Sequence, residues 1–469
     1  MIDYAKNIQA FYERDDYKAL AGQPGVTAVE ASFKDLTYVP RKTKPLPGMM
    51  AGTMLQEFAL QPQQPTALYL HIPFCNLRCS YCSFYRNPFE AEQVEEYVQA
   101  LLTELDFLQQ GVFAKQRPEA VFFGGGTPSV LNPAQISALL NKIHSVAKLA
   151  DDCEVTFESS IYDLSADKLA ACIAGGVNRF SFGVQAFDTH LRRSLGRLNA
   201  KEEVTAKLEE VAAEGVKVII DLIYGLNGQT QAMLLDDIRT ALACGVSGMD
   251  LYKLQIMPKS PLGQAIAKGN IKYDYNDRML AEMFVAADAL LAEQGAKALS
   301  CCHWAMREDE RSGYNTLVKS GANIITCGAA CGGHMGMYNY MKTMDRSDYV
   351  KKATAGQYAV MGMGKHNENY LLLEKLSGQC DSGRFDFVLL KQYSDADWES
   401  LLAPLLEQWE LLDLLYAMDG KYYFTAKGKY YYRQMDRVLL TAAECALYGK
   451  PGLMEQAGQK MMGIMKNMK

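Results

Sequence analysis

The sequence predicts an α/β fold built on six β-α units in series, and three observations carry that prediction. Six short apolar runs recur between residues 67 and 255, each followed by a helical stretch. The runs are mostly unalternating, as expected of parallel strands covered on both faces. The polar and glycine-rich residues that stand out lie just after these runs, where functional groups gather in a parallel barrel. Together they point to a curved or barrel-like parallel sheet, a partial (β/α)6 barrel.

Taken in order, ALYLHI (67–72) is the first strand, followed by a helical stretch near 90–109. EAVFFG (119–124) precedes a helix near 133–147, and CEVTFES (153–159) one near 165–174. RFSFGV (179–184) precedes helical stretches reaching residue 214, and VKVIIDLIYG (216–225) a helix near 231–243. MDLYKLQ (249–255) precedes a helix near 278–294. Residues 1–60 are mixed, and their Pro-rich segment YVPRKTKPLPG suggests an N-terminal arm; residues 61–300 form the barrel. Residues 301–469 are expected to be a mainly α-helical domain that covers the substrate. Within it a Gly- and Cys-rich loop, CGAACGGHMG (327–336), gives way to helical stretches. A helix-plus-hairpin unit ending in KYYFTAKGKYYYRQM (421–435) resembles a small winged-helix-like module.

Some modules of that shape bind nucleic acid, but the chain's net charge of −6 opposes a broad attraction to phosphates, and a packing role is simpler. The locally basic end, KMMGIMKNMK, reads as a frayed helical tail. With 49% hydrophobic and 22% charged residues, the composition is that of a globular protein with a sizeable core. The polar N-terminal stretch lacks the pattern of a secretory signal, and no apolar run is long enough to cross a membrane. A cytoplasmic location is therefore expected, where the twelve cysteines act as thiols, metal ligands or core fillers rather than disulfides.

The strongest chemical signal is HIPFCNLRCSYC, in which Cys75, Cys79 and Cys82 are spaced C-x3-C-x2-C. A structural zinc site would need a fourth ligand, and His71 lies within the strand, four residues before Cys75. Three thiolates on one tight loop can instead hold three corners of a 4Fe-4S cluster and leave one iron open to a substrate or cofactor. Zinc or unligated thiols are the alternatives. GGGTP (124–128) follows the second strand; it has neither the spacing of a dinucleotide site nor the lysine of a P-loop, yet its backbone can approach a ligand closely. Glu158, Gln185, Arg197 and Asp221 stand at strand ends or just beyond. On one rim they would suit a zwitterionic nucleoside: Arg197 for a carboxylate, Glu158 for an ammonium, Gln185 and Asp221 for ribose hydroxyls.

The cysteine motif followed by GGGTP resembles the radical S-adenosyl-L-methionine (SAM) enzymes. YLHIPFCNLRCSYC, FFGGGTPSVL, NRFSFGVQAFD and DLIYGLNGQT are similar to the coproporphyrinogen dehydrogenase-like branch, strongly over about residues 65–260 and loosely beyond. The resemblance implies a 4Fe-4S cluster on Cys75, Cys79 and Cys82, with the amino and carboxylate groups of SAM on the fourth iron. It implies SAM contacts from Tyr69, Tyr81, Gly125, Gly126, Thr127, Glu158, Gln185, Arg197 and Asp221, with Gln255 and Gly332 as looser counterparts, and room for two SAM molecules.

Within the branch, the oxygen-independent coproporphyrinogen III dehydrogenases carry a further cysteine two residues after the triad; this chain has Phe84 there. The haem chaperones start close to their cysteine motif and carry HN-x-x-Y-W before the late glycine-rich loop. Here 74 residues precede Cys75, the matching region reads SGYNTLVKSG, and HNENY (366–370) comes after the loop. CSFYRNPF, CCHWAMRE (301–308), CGAACGGHMG and the length resemble the anaerobic haem-degrading radical SAM methyltransferases (HutW/ChuW type). That resemblance implies haem as substrate, methyl transfer, ring opening with release of iron and a linear tetrapyrrole, and an electron donor such as a flavodoxin or other reductase. His303 and His334 are the histidines that such a reading nominates for the haem iron. Cys327 and Cys331 read as core thiols, and the 23 methionines suit a soft apolar pocket.

Overall fold

The computed structural model describes residues 2–14, 17–18, 44–82, 87–109 and 111–449. Phe84, the start of the Pro-rich segment and the basic C-terminal stretch lie outside the described residues. The described residues form two compact units. One is drawn from 45–318 and 322–365, the other from the N-terminal segment, 319–321 and the chain from 366 on.

In the first unit the six predicted strands are present: β1 (Thr66–Ile72), β2 (Ala120–Gly125), β3 (Glu154–Ser159), β4 (Arg179–Gln185), β5 (Lys217–Tyr224) and β6 (Gly248–Lys253). They pair in parallel in chain order, with helices between them. The predicted partial barrel is thus the observed architecture. Local chemistry sets the helix starts. Pro133–Val146 begins with a capping box, in which Asn132 Oδ1 accepts from Gln135 N at 2.9 Å and Gln135 Oε1 accepts from Asn132 N at 3.0 Å. Its buried stripe, Ile136, Leu139, Leu140 and Ile143, follows the helical period.

The sheet continues past residue 300, where the sequence reading has a loop and helices. β7 (His303–Ala305) adds antiparallel to β6, and β8 (Asn323–Cys327) adds parallel beside β1. The strands Gly332–Met335, Tyr338–Lys342 and Val360–Lys365 then extend it antiparallel. Part of CGAACGGHMG is therefore a strand. Glycine-rich segments carry little strand propensity, and this one is held by its neighbours rather than by its own composition. Across the helix Ala91–Gln109, Glu104 anchors the extension: it forms a buried ion pair with Lys342, and accepts from Tyr349 Oη at 2.7 Å and Gly328 N at 2.9 Å. That full set of partners is what lets a buried carboxylate persist.

The second unit is mostly helical, with Tyr370–Asp381, Trp398–Leu411 and Ala426–Tyr448 around a three-stranded sheet of Arg384–Phe385, Lys421–Phe424 and Leu415–Met418. A hairpin is present, Leu415–Met418 with Lys421–Phe424, but residues 426–435 of the stretch read as its end lie in the helix Ala426–Tyr448. The helix Tyr4–Tyr12 belongs to this unit: Ile8 and Phe11 are buried, Asn7 Nδ2 donates to Ala446 O at 3.1 Å, and Tyr12 Oη to Leu401 O at 2.7 Å. The helix Ala51–Leu60 belongs to the barrel unit. Among the described residues no helix is long and apolar enough to cross a membrane.

Candidate active site

The cysteine loop leaves the C-terminal end of β1. Phe74–Cys75 pairs in parallel with Asn87–Pro88, which ties the base of the loop. Ser80 N donates to Leu195 O at 3.0 Å, and Ser80 O accepts from Leu262 N at 2.8 Å, so the tip is pinned on both sides. Cys75 is buried, while Cys79 and Cys82 are partly exposed. Burial pushes the Cys75 thiol up to about 11, the Thr127 hydroxyl at 3.5 Å draws it back, and Cys82 and Cys79 lie near enough to raise it further. Among the described residues no three His, Cys, Asp or Glu side chains converge as the ligands of one ion do. The donor set, three soft sulfurs on one loop with no fourth protein ligand among the described residues, fits a cluster held one thiolate per iron with an open corner.

The glycine turn lies directly beside it. Gly126 N donates to Ile72 O and Thr127 N to Phe74 O, both at 2.8 Å. A Cβ on Gly126 would stand 2.5 Å from Phe74 O and 3.0 Å from Cys75 Sγ, and Gly125 adopts φ +117, so neither position accepts a side chain. Gly125 N donates to Glu158 Oε2 at 3.2 Å. Glu158 sits deep in the barrel end yet stays partly reachable. Burial pushes its carboxyl up to about 7, against the Gly125 N–H and the more distant Arg179 charge.

A polar cradle forms where β4 ends. The β4–β5 register slips between Gly183 and Gln185, and Gln185 takes φ 72, a left-handed conformation that a non-glycine residue holds only under constraint. Arg192 supplies the constraint: buried, it donates from Nη1 to Val184 O at 2.7 Å and to Ala186 O at 2.9 Å, the carbonyls on either side of Gln185. Gly183 shows how tightly the cradle closes, because a Cβ there would lie 2.7 Å from Gln185 Nε2, 3.2 Å from Arg197 Nη2 and 3.9 Å from Asp221 Oδ2. Arg197 Nη2 donates to the Tyr81 hydroxyl at 3.1 Å, while its buried Nε has no hydrogen-bond partner among the described residues. A buried donor left open in this way points to a ligand. The geometry thus brings Tyr81, Gln185, Arg197 and Asp221 together, with Glu158, Gly125, Gly126 and Thr127 by the cysteine loop.

Tyr69 faces the same end: its hydroxyl is 3.0 Å from His71 Nδ1 and its ring stacks on Phe122 and Tyr314. Gln255 is exposed beyond β6, its Nε2 3.5 Å from Lys253 O. Gly332 is exposed on the antiparallel extension, in register with Met341, which in turn pairs with Gly362. No contact joins Gln255 or Gly332 to the cradle among the described residues. His334 is buried, with Nδ1 3.1 Å from Ala322 O, and burial lowers its pKa. His303 is only 2% exposed, with Nδ1 3.1 Å from Asp250 Oδ2 and Nε2 3.3 Å from Glu310 Oε1, so no ligand reaches either nitrogen unless those contacts open. Sequence reasoning passed over Gly183, Arg192 and Asp250. Arg192 carried no signal; a glycine inside the apolar run RFSFGV and an acid inside MDLYKLQ were the available hints.

The radical SAM superfamily model matches residues 69–241. Anaerobilin synthase of Escherichia coli O157:H7 is 30% identical over 359 residues, 76% of this chain and 79% of that protein. The haem chaperone HemW of Bacillus subtilis (strain 168) is 32% identical over 273 residues, 57% of this chain and 70% of that protein. Among solved structures, the coproporphyrinogen III oxidase HemN from Escherichia coli superposes with a TM-score of 0.73 at 22% identity, covering 88% of this chain and 98% of that one. That last likeness is one of fold.

Proposed function

The chain belongs to the radical SAM superfamily, and from that premise we propose that it degrades haem anaerobically, as a methyltransferase that methylates and opens the porphyrin ring, releasing iron and a linear tetrapyrrole. The family's cofactors are a 4Fe-4S cluster and SAM. When bound, they supply an electron, an open iron position, a carbon radical and a methyl group. Cys75, Cys79 and Cys82 would hold the cluster, and Thr127 would orient Cys75.

The observation that carries the reading is the intact cradle around Arg197, in a chain alike to anaerobilin synthase over most of its length. Haem carriage alone does not call for a buried guanidinium beside Gln185 and Asp221. Arg197 would fix the carboxylate of SAM, Glu158 its ammonium, and Gln185 with Asp221 its ribose. The tight backbone at Gly125 and Gly126 leaves no room for a side chain beside Cys75. Haem would be the substrate, with a flavodoxin or other reductase as electron donor and the cytoplasm as the place of reaction.

HemW relatives of similar identity favour a second reading, in which the chain binds haem and passes it on. Anaerobic mixing of cluster-loaded, reduced protein with SAM and haem separates the two. Degradation predicts loss of the haem Soret band and an iron-free tetrapyrrole that carries one added methyl group. Tight binding with an unchanged haem spectrum would leave the chaperone reading standing instead.

A further inference from the structure

Four residues stand in one row across the sheet. Gly183 on β4 is the register partner of Asp221 on β5, Asp221 of Asp250 on β6, and Asp250 of His303 on β7. Residues opposite one another on neighbouring strands point to the same face. The row therefore starts under Gln185 and Arg197, in the cradle, and ends at His303, which lies between Asp250 and Glu310. Arg179 completes the far end, its Nη2 donating to Glu310 Oε1 at 3.0 Å. His303, Asp250, Glu310 and Arg179 are all buried.

Adjacent buried carboxyls do not ionise independently, because each charge disfavours the next. Asp221 faces Asp250 from β6 and Glu158 from β3, with Arg197 and Arg179 opposing them, and burial with the two acids holds its proton well above the usual carboxylate range. Asp250 faces Asp221, the Tyr252 hydroxyl and the His303 ring. Among the described residues His303 is the cationic partner in direct contact with Asp250, while Arg179 acts on it without such a contact.

We infer that His303 is a positioning residue for the SAM pocket: as an imidazolium it meets the charge of Asp250 from the side away from the cradle, and so lets Asp221 ionise and accept the hydroxyls of the nucleoside. The inference rests on Asp221 belonging to that pocket, and it gives His303 a different task from ligating haem iron. It does not depend on what the substrate is.

The test is SAM affinity against pH, by calorimetry on cluster-loaded protein, for the wild type, His303→Gln and the double variant His303→Gln/Asp250→Asn. Glu158 is common to all three, so differences between the profiles report on Asp221. His303→Gln should move the midpoint of the profile up by about one pH unit, a tenfold change in proton affinity. The double variant should bring it back to or below the wild-type position, because the charge that His303 answers is gone. Superposed profiles for the wild type and His303→Gln, or a shift that persists in the double variant, would overturn the inference. Melting curves report whether His303→Gln folds. If it does not, Asp250→Asn alone should move the midpoint down, and an unmoved midpoint is again fatal. An Asp221→Asn variant that binds SAM as the wild type does would instead sink the pocket assignment itself.

Discussion

Arg197 donates from Nη2 to the Tyr81 hydroxyl at 3.1 Å, and this bond ties the cysteine loop to the cradle at the end of β4. The two halves of the site are thereby held in one frame. Arg197→Ala should weaken SAM binding about a hundredfold, since hydrogen bonds to charged groups contribute roughly 1.5–3 kcal/mol. Arg197→Lys should recover only part of that, because an ammonium lacks the planar fork. Tyr81→Phe removes one acceptor and should cost about fivefold. Calorimetric affinities that do not follow this order would remove Arg197 from the carboxylate.

Glu158 makes SAM binding depend on pH. Its carboxyl is pushed up to about 7, chiefly by burial, and a bound ammonium prefers the ionised form. Affinity should be highest above pH 7 and fall as pH drops through it. Glu158→Gln should bind more weakly at pH 8 and show a shallower dependence, the remaining step belonging to Asp221. A variant that keeps the wild-type slope would show that another group controls it.

Gly126 tests the cluster site without replacing a ligand. Gly126→Ala places a methyl 2.5 Å from Phe74 O and 3.0 Å from Cys75 Sγ. It should lower iron and sulfide bound per chain after reconstitution, with little change in far-ultraviolet circular dichroism. Gly52→Ala, which meets nothing within 4 Å on the helix Ala51–Leu60, is the control, and should stabilise by about 0.4–1 kcal/mol. Equal cluster content in both variants would contradict the packing account.

The buried group of His303, Asp250, Glu310 and Arg179 sets a pH window for stability. Burial alone would lower the His303 pKa, but Asp250 and Glu310 outweigh it and raise it to about 9. Its contribution is therefore complete below the unfolded value of about 6.5, and is lost as pH rises through 9. Glu310 is driven down to about 2 against the opposing effect of burial, by His303 and Arg179. Its contribution is present above about pH 4.3 and lost as pH falls through 2. The melting temperature should decline between pH 7 and 9.5 in the wild type and much less in His303→Gln. Parallel declines would mean that His303 does not titrate there.

The barrel was legible because its strands are apolar runs long enough to declare themselves, and the cysteine triad and GGGTP because their residue types are rare at such spacing. β8 and the strands after it were not, since NIITC is short and half of GGHM is glycine. The row from Gly183 to His303 was hidden for a deeper reason. Asp221 and Asp250 are 29 positions apart, and His303 another 53, so only the register of four strands makes them neighbours. Likewise the strain at Gln185 depends on Arg192 reaching back to two carbonyls, a tertiary fact with no local signature.

Reduced, cluster-loaded protein incubated anaerobically with haem and SAM deuterated at its methyl group tests the central claim most directly. Mass spectrometry should find an iron-free linear tetrapyrrole that carries the labelled methyl, formed by the wild type and absent from Cys79→Ala. Haem recovered intact and unlabelled from the wild type, with SAM consumed or not, would contradict it.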